Sequence, residues 1–300
     1  MPPLAQVMRL NASFTPKSRI PVALFLGGTS GIGQAMARRF AEYTKGESHI
    51  VIVGRNQAAA HATISSFPRS TAGTQEFIEC DATLIKNIEI TATSLLDRIS
   101  KLNFLVLSPG FFSIIAGRDE TSEGIDKKMA LIYYARWKFI HDLMPLIRNA
   151  SQSGEDAKVY SVLGAGTGGK IDMNDLGLKK SYTALRAALS AATYTDLMME
   201  KFSQDNPDVQ FTHAFPGLVR TPMMLFKHWA LKPFNPLVSM AAYPFTVSPE
   251  VCAEYQLSSL FDSKPGFTRR GAKGDDIGYT PANPADVQKL WDHTIEATKV

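Results

Sequence analysis

Three short clusters combine residue types and spacings that do chemistry. The first is Gly27-Gly28-Thr29-Ser30-Gly31-Ile32-Gly33, between an apolar run and an amphipathic one. Glycines there let a backbone approach a pyrophosphate closely. A helix opening at their end adds unpaired N–H groups and the positive end of its dipole. The second is Val53-Gly54-Arg55-Asn56, where a carboxylate would hold the ribose hydroxyls of NAD. None is present, and Arg55 brings a permanent charge and a planar fork of donors suited to a 2′-phosphate. The expected dinucleotide is therefore NADP(H), with Ser30 or Asn56 as a further donor. The third is Tyr182 with Arg186 four residues on, which predicts a phenol and a guanidinium on one helix face. A phenol of ordinary pKa about 10 needs a neighbouring cation to serve as a proton donor and acceptor near neutral pH. Arginine supplies the charge but releases no proton itself.

Other chemistries are excluded or left bare. His141 and His213 lack partners at metal-ligand spacing and read as structural, so no metal is expected. Cys80 and Cys252 form no CxxC motif and read as buried, inert thiols of a reducing compartment. No Ser-His-Asp or paired-carboxylate arrangement is legible, and Asp172, Asp175 and Asp196 read as turn or helix-surface acids.

These residues need elements to position them. The runs 22–26, 50–53, 77–78, 104–107, 159–163 and 209–214 are short and apolar. They alternate with stretches of helical character at 32–43, 58–66, 84–102, 125–147 and 182–202. That alternation predicts an α/β fold, a Rossmann-like doubly wound parallel sheet in three α/β/α layers. No repeat and no linker interrupts it, so 1–300 is expected to be a single domain. Beyond Pro216 the pattern breaks. Residues 218–247 contain no acidic residue and are rich in methionine, aromatics and proline. An irregular apolar segment is expected there, with 218–262 covering a substrate. A last amphipathic helix is expected over 286–298.

The composition agrees: 300 residues, 45% hydrophobic and 20% charged, exclude disorder, collagen and coiled coil. A formal charge of +4 from scattered basic residues excludes a nucleic-acid footprint. No signal-peptide run and no long apolar stretch occurs, so a cytoplasmic protein without stable membrane insertion is expected.

The spacing of Gly27, Gly31 and Gly33 resembles that of the short-chain dehydrogenase/reductase family. The resemblance runs from about Val22 to Met224 and includes Asp81, Gly110, Tyr182, Pro216-Gly217 and Thr221 in the appropriate places. It implies a nucleotide site built from Gly27, Thr29, Ser30, Gly31, Ile32, Gly33, Arg55, Asn56, Asp81, Gly110, Pro216, Gly217, Val219 and Thr221, with Asp81 at the adenine. It also implies a homodimer or homotetramer. Glu120-Thr121-Ser122-Glu123-Gly124, Asp175-Leu176 and His213-Ala214-Phe215-Pro216-Gly217 look like a divergent branch common in filamentous fungi, many of whose members act in secondary metabolism.

The resemblance also marks departures. The family uses Tyr, a Lys four residues later, a Ser and an Asn. Here Tyr182 is kept, Arg186 replaces the Lys, the Ser falls at about Gly164, and the Asn falls near Ile132 or Tyr133. Ser161, Thr167 and Ser181 are the hydroxyls available to stand in for the serine. Tyr134-Ala135-Arg136-Trp137-Lys138 spells Tyr-x-x-x-Lys ahead of the fifth strand, where the family's pair does not sit. Tyr134 and Trp137 read as packing residues, with Tyr133 or Tyr134 reaching the pocket as the alternative.

The segment after Pro216-Gly217 is placed to cover the nicotinamide. Met223, Met224, Leu225, Phe226, Trp229, Leu231, Phe234, Leu237, Met240, Tyr243 and Phe245 would make it an adaptable apolar lid. The expected function is an NADP(H)-dependent short-chain oxidoreductase transferring hydride to a carbonyl or enone of a bulky hydrophobic substrate, with Tyr182 as acid and Arg186 tuning it. The alternatives are a non-redox isomerase or cyclase on the same fold, motivated by the lost Ser, Lys and Asn, and an NADP(H)-binding sensor.

Overall fold

In the computed structural model, residues 2–110, 117–222, 232–262 and 264–300 are described. Met223–Leu231 of the expected lid lie outside them, as do the side chains of Phe234 and Leu237. The strands are β1 (Val22–Leu26), β2 (His49–Gly54), β3 (Thr74–Glu79), β4 (Phe104–Leu107), β5 (Lys158–Val162), β6 (Gln210–Ala214) and β7 (Gly266–Arg270). They form one parallel seven-stranded sheet in the order β3-β2-β1-β4-β5-β6-β7. The order reverses between β1 and β4, and the crevice beyond the carboxyl ends of those strands is where such sheets bind ligands.

The helices are α1 (Leu4–Ala12), α2 (Gly31–Tyr43), α3 (Gln57–Ser65), α4 (Ile85–Arg98), the one-turn α5 (Lys127–Met129), α6 (Ala135–Gln152), α7 (Ala184–Asp205), α8 (Asn235–Ala242), α9 (Pro249–Phe261) and α10 (Pro284–Ala297). The sheet is covered on both faces because its strands alternate. Leu24, Leu26, Val51, Leu105 and Leu107 pack in one apolar cluster with residues of α4, α6, α7 and α10. Ala23, Phe25, Ile50, Ile52, Phe104 and Val106 pack in the other with α2 and α9.

Three differences from the sequence expectation have physical causes. β7 is absent from that expectation, because an edge strand reading Gly-Phe-Thr-Arg-Arg is half-exposed and lacks the apolar signature of a central one. The lead-in contains α1, held to the body by a polar anchor: Asn11 Nδ2 donates to Glu254 Oε2 at 2.8 Å. The long helix expected over 125–147 is broken into α5, a π-helical turn at Ala130–Tyr134, and α6. Such turns insert a residue into the helical register and re-aim the side chains of the helix beyond them.

Candidate active site

The glycine-rich run links β1 to α2 as its spacing requires. Gly27 and Gly31 take φ of +82° and +59°, which strain any residue with a Cβ. A Cβ on Gly27 would stand 3.0 Å from Pro109 N, and one on Gly33 would collide with Ser108 Oγ. The turn is thus wedged against the end of β4. A Cβ on Gly31 would meet Thr221 Cγ2 at 3.2 Å, so the chain leaving β6 closes over the same turn. Ser30 is the N-cap of α2 and makes no side-chain capping bond. The first-turn N–H groups have no intrahelical partners, and Ile32 packs below against the core. Donors of this kind fit a pyrophosphate.

At the end of β2, Thr29 Cγ2 lies 2.9 Å from the place of a Cβ on Gly54. Arg55, 68% exposed, reaches within 4.0 Å of Asp81 Oδ2. Asp81 is oriented by Thr83, whose N and Oγ1 donate to its Oδ1 at 3.0 and 2.9 Å. Asn56 Oδ1 accepts from Ala59 N and caps α3, so this oxygen is engaged. On the other flank, Pro216 O accepts from Cys252 Sγ, Gly217 adopts φ +74°, and the buried Val219 bridges to Val247. Gly110 directly follows Pro109, at the last described position before residue 111. The structure therefore gathers the glycines, Thr29 and Thr221 at one strand-end crevice and sets Arg55 beside Asp81.

Beyond β5 the expected arrangement is changed. Thr183, whose Oγ1 accepts from Arg186 N at 3.0 Å, is the N-cap of α7. Tyr182 therefore lies outside the helix, and the shared helix face expected for Tyr182 and Arg186 does not exist. Arg186 pairs instead with Asp172 at 3.8 Å on the surface. Tyr182 is half-buried and faces the carboxylate of Asp126. Burial, and next the facing carboxylate, push its phenol up to about 12, with Arg118 opposing. Asp126 accepts from Asp119 N, Lys128 N and Met129 N. The loop that carries Tyr182 is tied by Asp175, which accepts from Lys179 N, Lys180 N, Ser181 N and Ser181 Oγ. These bonds hold its carboxyl below the usual range against the opposing effect of burial, the largest single influence.

Of the hydroxyls near Gly164, Ser161 is buried and accepts from Arg136 Nε, and Ser181 donates to Asp175. Thr167 is exposed, and its Oγ1 lies 2.6 Å from where a Cβ on Gly164 would stand, donating to Gly164 O at 2.9 Å. Tyr133 and Tyr134 are buried and turn toward α10, on Thr294 Oγ1 at 2.6 Å and His293 Nε2 at 2.8 Å. Trp137 stacks on His141 within the packing layer.

Two groups here are not legible as site residues in the sequence. Arg136 is fully buried: its Nε donates to Ser161 Oγ, Nη1 to the carbonyls of Leu131 and Ile132, and Nη2 to those of Pro109 and Val162. Burial pulls its pKa down to about 9, which leaves it charged at neutral pH. An arginine inside the otherwise uncharged stretch 129–137 was the available signal. His213 is fully buried, with Nδ1 2.7 Å from Asp196 Oδ1. Its Nε2 accepts from Gly164 N at 3.1 Å, so the ring is neutral and its proton sits on Nδ1. Burial lowers its pKa. Asp196 continues to Arg269 at 3.4 Å and is a buried anchor rather than a surface acid. Among the described residues, no group of His, Cys, Asp or Glu is placed to hold a metal ion.

Known proteins agree with this architecture. The family profile for short chain dehydrogenase matches residues 21–228, and the chain belongs to that family. Oxidoreductase AN1596 of Emericella nidulans is 36% identical over 263 residues, covering 83% of this chain and 75% of that protein. Short-chain dehydrogenase/reductase SAT2 of Stachybotrys chartarum is 25% identical over 346 residues, covering 98% and 96%. The crystal structure of NADPH-bound carbonyl reductase from chicken fatty liver shares the fold at a TM-score of 0.64 and 17% identity, covering 87% of this chain and 100% of that one. The protein is an oxidoreductase of a family that binds a nicotinamide cofactor. No helix among its described residues is long and apolar enough to cross a membrane.

Proposed function

We propose that this protein is an NADPH-dependent reductase of a carbonyl or enone on a bulky hydrophobic molecule, of the kind made in fungal secondary metabolism. The observation that carries the cofactor preference is Arg55, an exposed guanidinium at the end of β2 where a carboxylate would be needed to favour NAD. In this reading the first turn of α2 takes the pyrophosphate, closed over by Thr221, with Asp81 beside the adenine and Gly110, Pro216, Gly217 and Val219 framing the nicotinamide. When bound, NADPH supplies the hydride. Thr167 Oγ holds the substrate oxygen in place of a side chain at Gly164. Tyr182, protonated at neutral pH, gives that oxygen its proton once the substrate displaces Asp126 as the acceptor. The exposed Leu218, Met240, Tyr243 and Phe245 make the entrance apolar. The proposal takes 1–300 as one domain, cytoplasmic and homo-oligomeric, with 218–262 covering the substrate.

A non-redox isomerase or cyclase is the second reading, favoured by one observation: Tyr182 faces a carboxylate and its phenol is raised, the reverse of what a family reductase would be given. The deciding experiment measures NADPH and NADH binding to wild type and Arg55→Ala, then NADPH oxidation with a panel of hydrophobic ketones and enones. Tighter NADPH binding, its preference reduced about tenfold or more by Arg55→Ala, and substrate-dependent oxidation support the reductase. Product formation without nucleotide oxidation supports the second reading.

A further inference from the structure

Arg136 sits where a charge is costly. All its nitrogens donate, but only to main-chain carbonyls and one hydroxyl, and no carboxylate among the described residues pairs with it. Dipoles offset part of its desolvation but leave a full unit of net charge, and in a weakly screening interior that charge acts over several ångströms. Its position is fixed by its acceptors. Pro109 follows β4 and Val162 ends β5, so the guanidinium lies between the carboxyl ends of those strands. Pro109 is the residue against which Gly27 is wedged, and Val162 leads into Gly164 and the turn bearing Thr167. The ionisable group that feels it is His213 on β6, held neutral, whose carboxylate partner Asp196 on α7 is shared with Arg269 on β7.

We infer that Arg136 sets the redox-state preference of the nucleotide site, disfavouring the cationic oxidised nicotinamide ring relative to the neutral reduced one. The inference rests on the NADP(H) reading above. If the arginine served only to pin β4, β5 and the π-helical turn together, neutral donors would do the same work. The charge itself would then have no effect on which form of the nucleotide binds. With the charge acting, NADPH binds more tightly than NADP+ by about tenfold, which for a two-electron couple raises the bound potential by about 30 mV.

The test compares four ligands by calorimetry: NADPH, NADP+, 2′,5′-ADP, and the benzamide isostere of NADP+, which keeps the planar oxidised-like ring without its charge. Wild type is expected to bind NADPH and the benzamide isostere each about tenfold more tightly than NADP+. In Arg136→Gln and Arg136→Met these ratios should fall toward one while affinity for 2′,5′-ADP stays unchanged, and Arg136→Lys should preserve them. Equal binding of NADP+ and its uncharged isostere to wild type overturns the inference, with no variant needed. So do ratios that persist in folded Arg136→Gln. Should neither neutral variant fold, the wild-type isostere comparison and loss of the ratios in Arg136→Lys remain able to overturn it. Binding of the dinucleotides and 2′,5′-ADP without charge discrimination defeats this inference alone, whereas binding of none of the four defeats the nucleotide reading on which it stands.

Discussion

The crevice is built by two different methods on its two sides. Around the turn after β1 the work is done by backbone and by missing side chains: Gly27 against Pro109, Gly33 against Ser108, Gly31 under Thr221. Beyond β5, in the proposed site, it is done by side chains. Thr167 occupies the space open at Gly164, Asp126 faces Tyr182, and the buried cation is Arg136, from the preceding helix. A backbone cradle tolerates little change, since a Cβ on Gly27 or Gly33 meets main chain and one on Gly31 meets Thr221 at a strained φ. A constellation of side chains can be rebuilt from neighbouring elements provided each polar group finds a partner. The glycine turn accordingly has the family's spacing, while Gly164 and Arg186 depart from the family's residues beyond β5.

The sharpest way to break this contrast is Tyr182→Phe. Removing a proton donor that acts in the reaction should lower kcat by about 10²–10⁴-fold, with NADPH affinity unchanged, on whichever ketone the substrate panel identifies. A loss below tenfold would make the Tyr182–Asp126 pair a structural contact. Thr167→Ala is next. If its hydroxyl holds the substrate oxygen, kcat should fall on the order of 10²-fold, with Thr167→Ser recovering most of the loss. Equal activity in Thr167→Ala would leave the open space at Gly164 without a functional substitute.

His213 offers a milder test, of stability rather than rate. Its folded pKa is lowered, chiefly by burial, while the unfolded ring titrates at about 6.5. Above that pH both states are neutral and its full contribution is present. As pH falls below about 6.5, the unfolded chain takes up a proton that the folded ring refuses. Stability therefore declines until the folded pKa is reached and levels off below it. Protonation would also turn Nε2 from acceptor to donor and oppose the Gly164 N–H. Melting temperatures between pH 7.5 and 5 should fall, and His213→Gln should flatten that dependence. An unchanged slope in the variant would remove His213 as its cause.

The legible and illegible parts of the chain divide along the same line. The five central strands and the glycine turn could be read because buried parallel strands are short uninterrupted apolar runs and because glycine marks positions that exclude a Cβ, whereas the edge strand β3 showed only its Phe77-Ile78 core. β7 and α1 escaped because one is a polar edge and the other is anchored by Asn11 and Glu254 rather than by a wide apolar stripe. Arg136 escaped for a different reason. Within Tyr134-Ala135-Arg136-Trp137-Lys138 it reads as a filler between two tyrosine-lysine landmarks, and only the tertiary fold brings Pro109 and Val162 to its guanidinium. His213 and Asp196 share that difficulty: seventeen residues apart, they meet because β6 runs back beside α7.

Arg186 marks the smallest expected effect and the clearest contrast between spacing and geometry. By sequence it stands four residues after Tyr182, where one helical turn would bring the two together. In the structure the helix starts at Ala184, so the turn that would join them is never made. The guanidinium lies 3.8 Å from Asp172 with both side chains substantially exposed, and exposed pairs of this kind contribute about 0–1 kcal/mol. Arg186→Ala should therefore change kcat less than about threefold and leave the melting temperature within about 2 °C of wild type, while Arg186→Lys should be indistinguishable from it. A large loss of kcat in Arg186→Ala, rescued by Arg186→Lys, would mean that a cation at this position does act on Tyr182 during turnover. The loop between Asp172 and Thr183 would then have to close a helical turn on binding substrate, and the departure from the family's arrangement on the β5 side would be conformational rather than a replacement of residues.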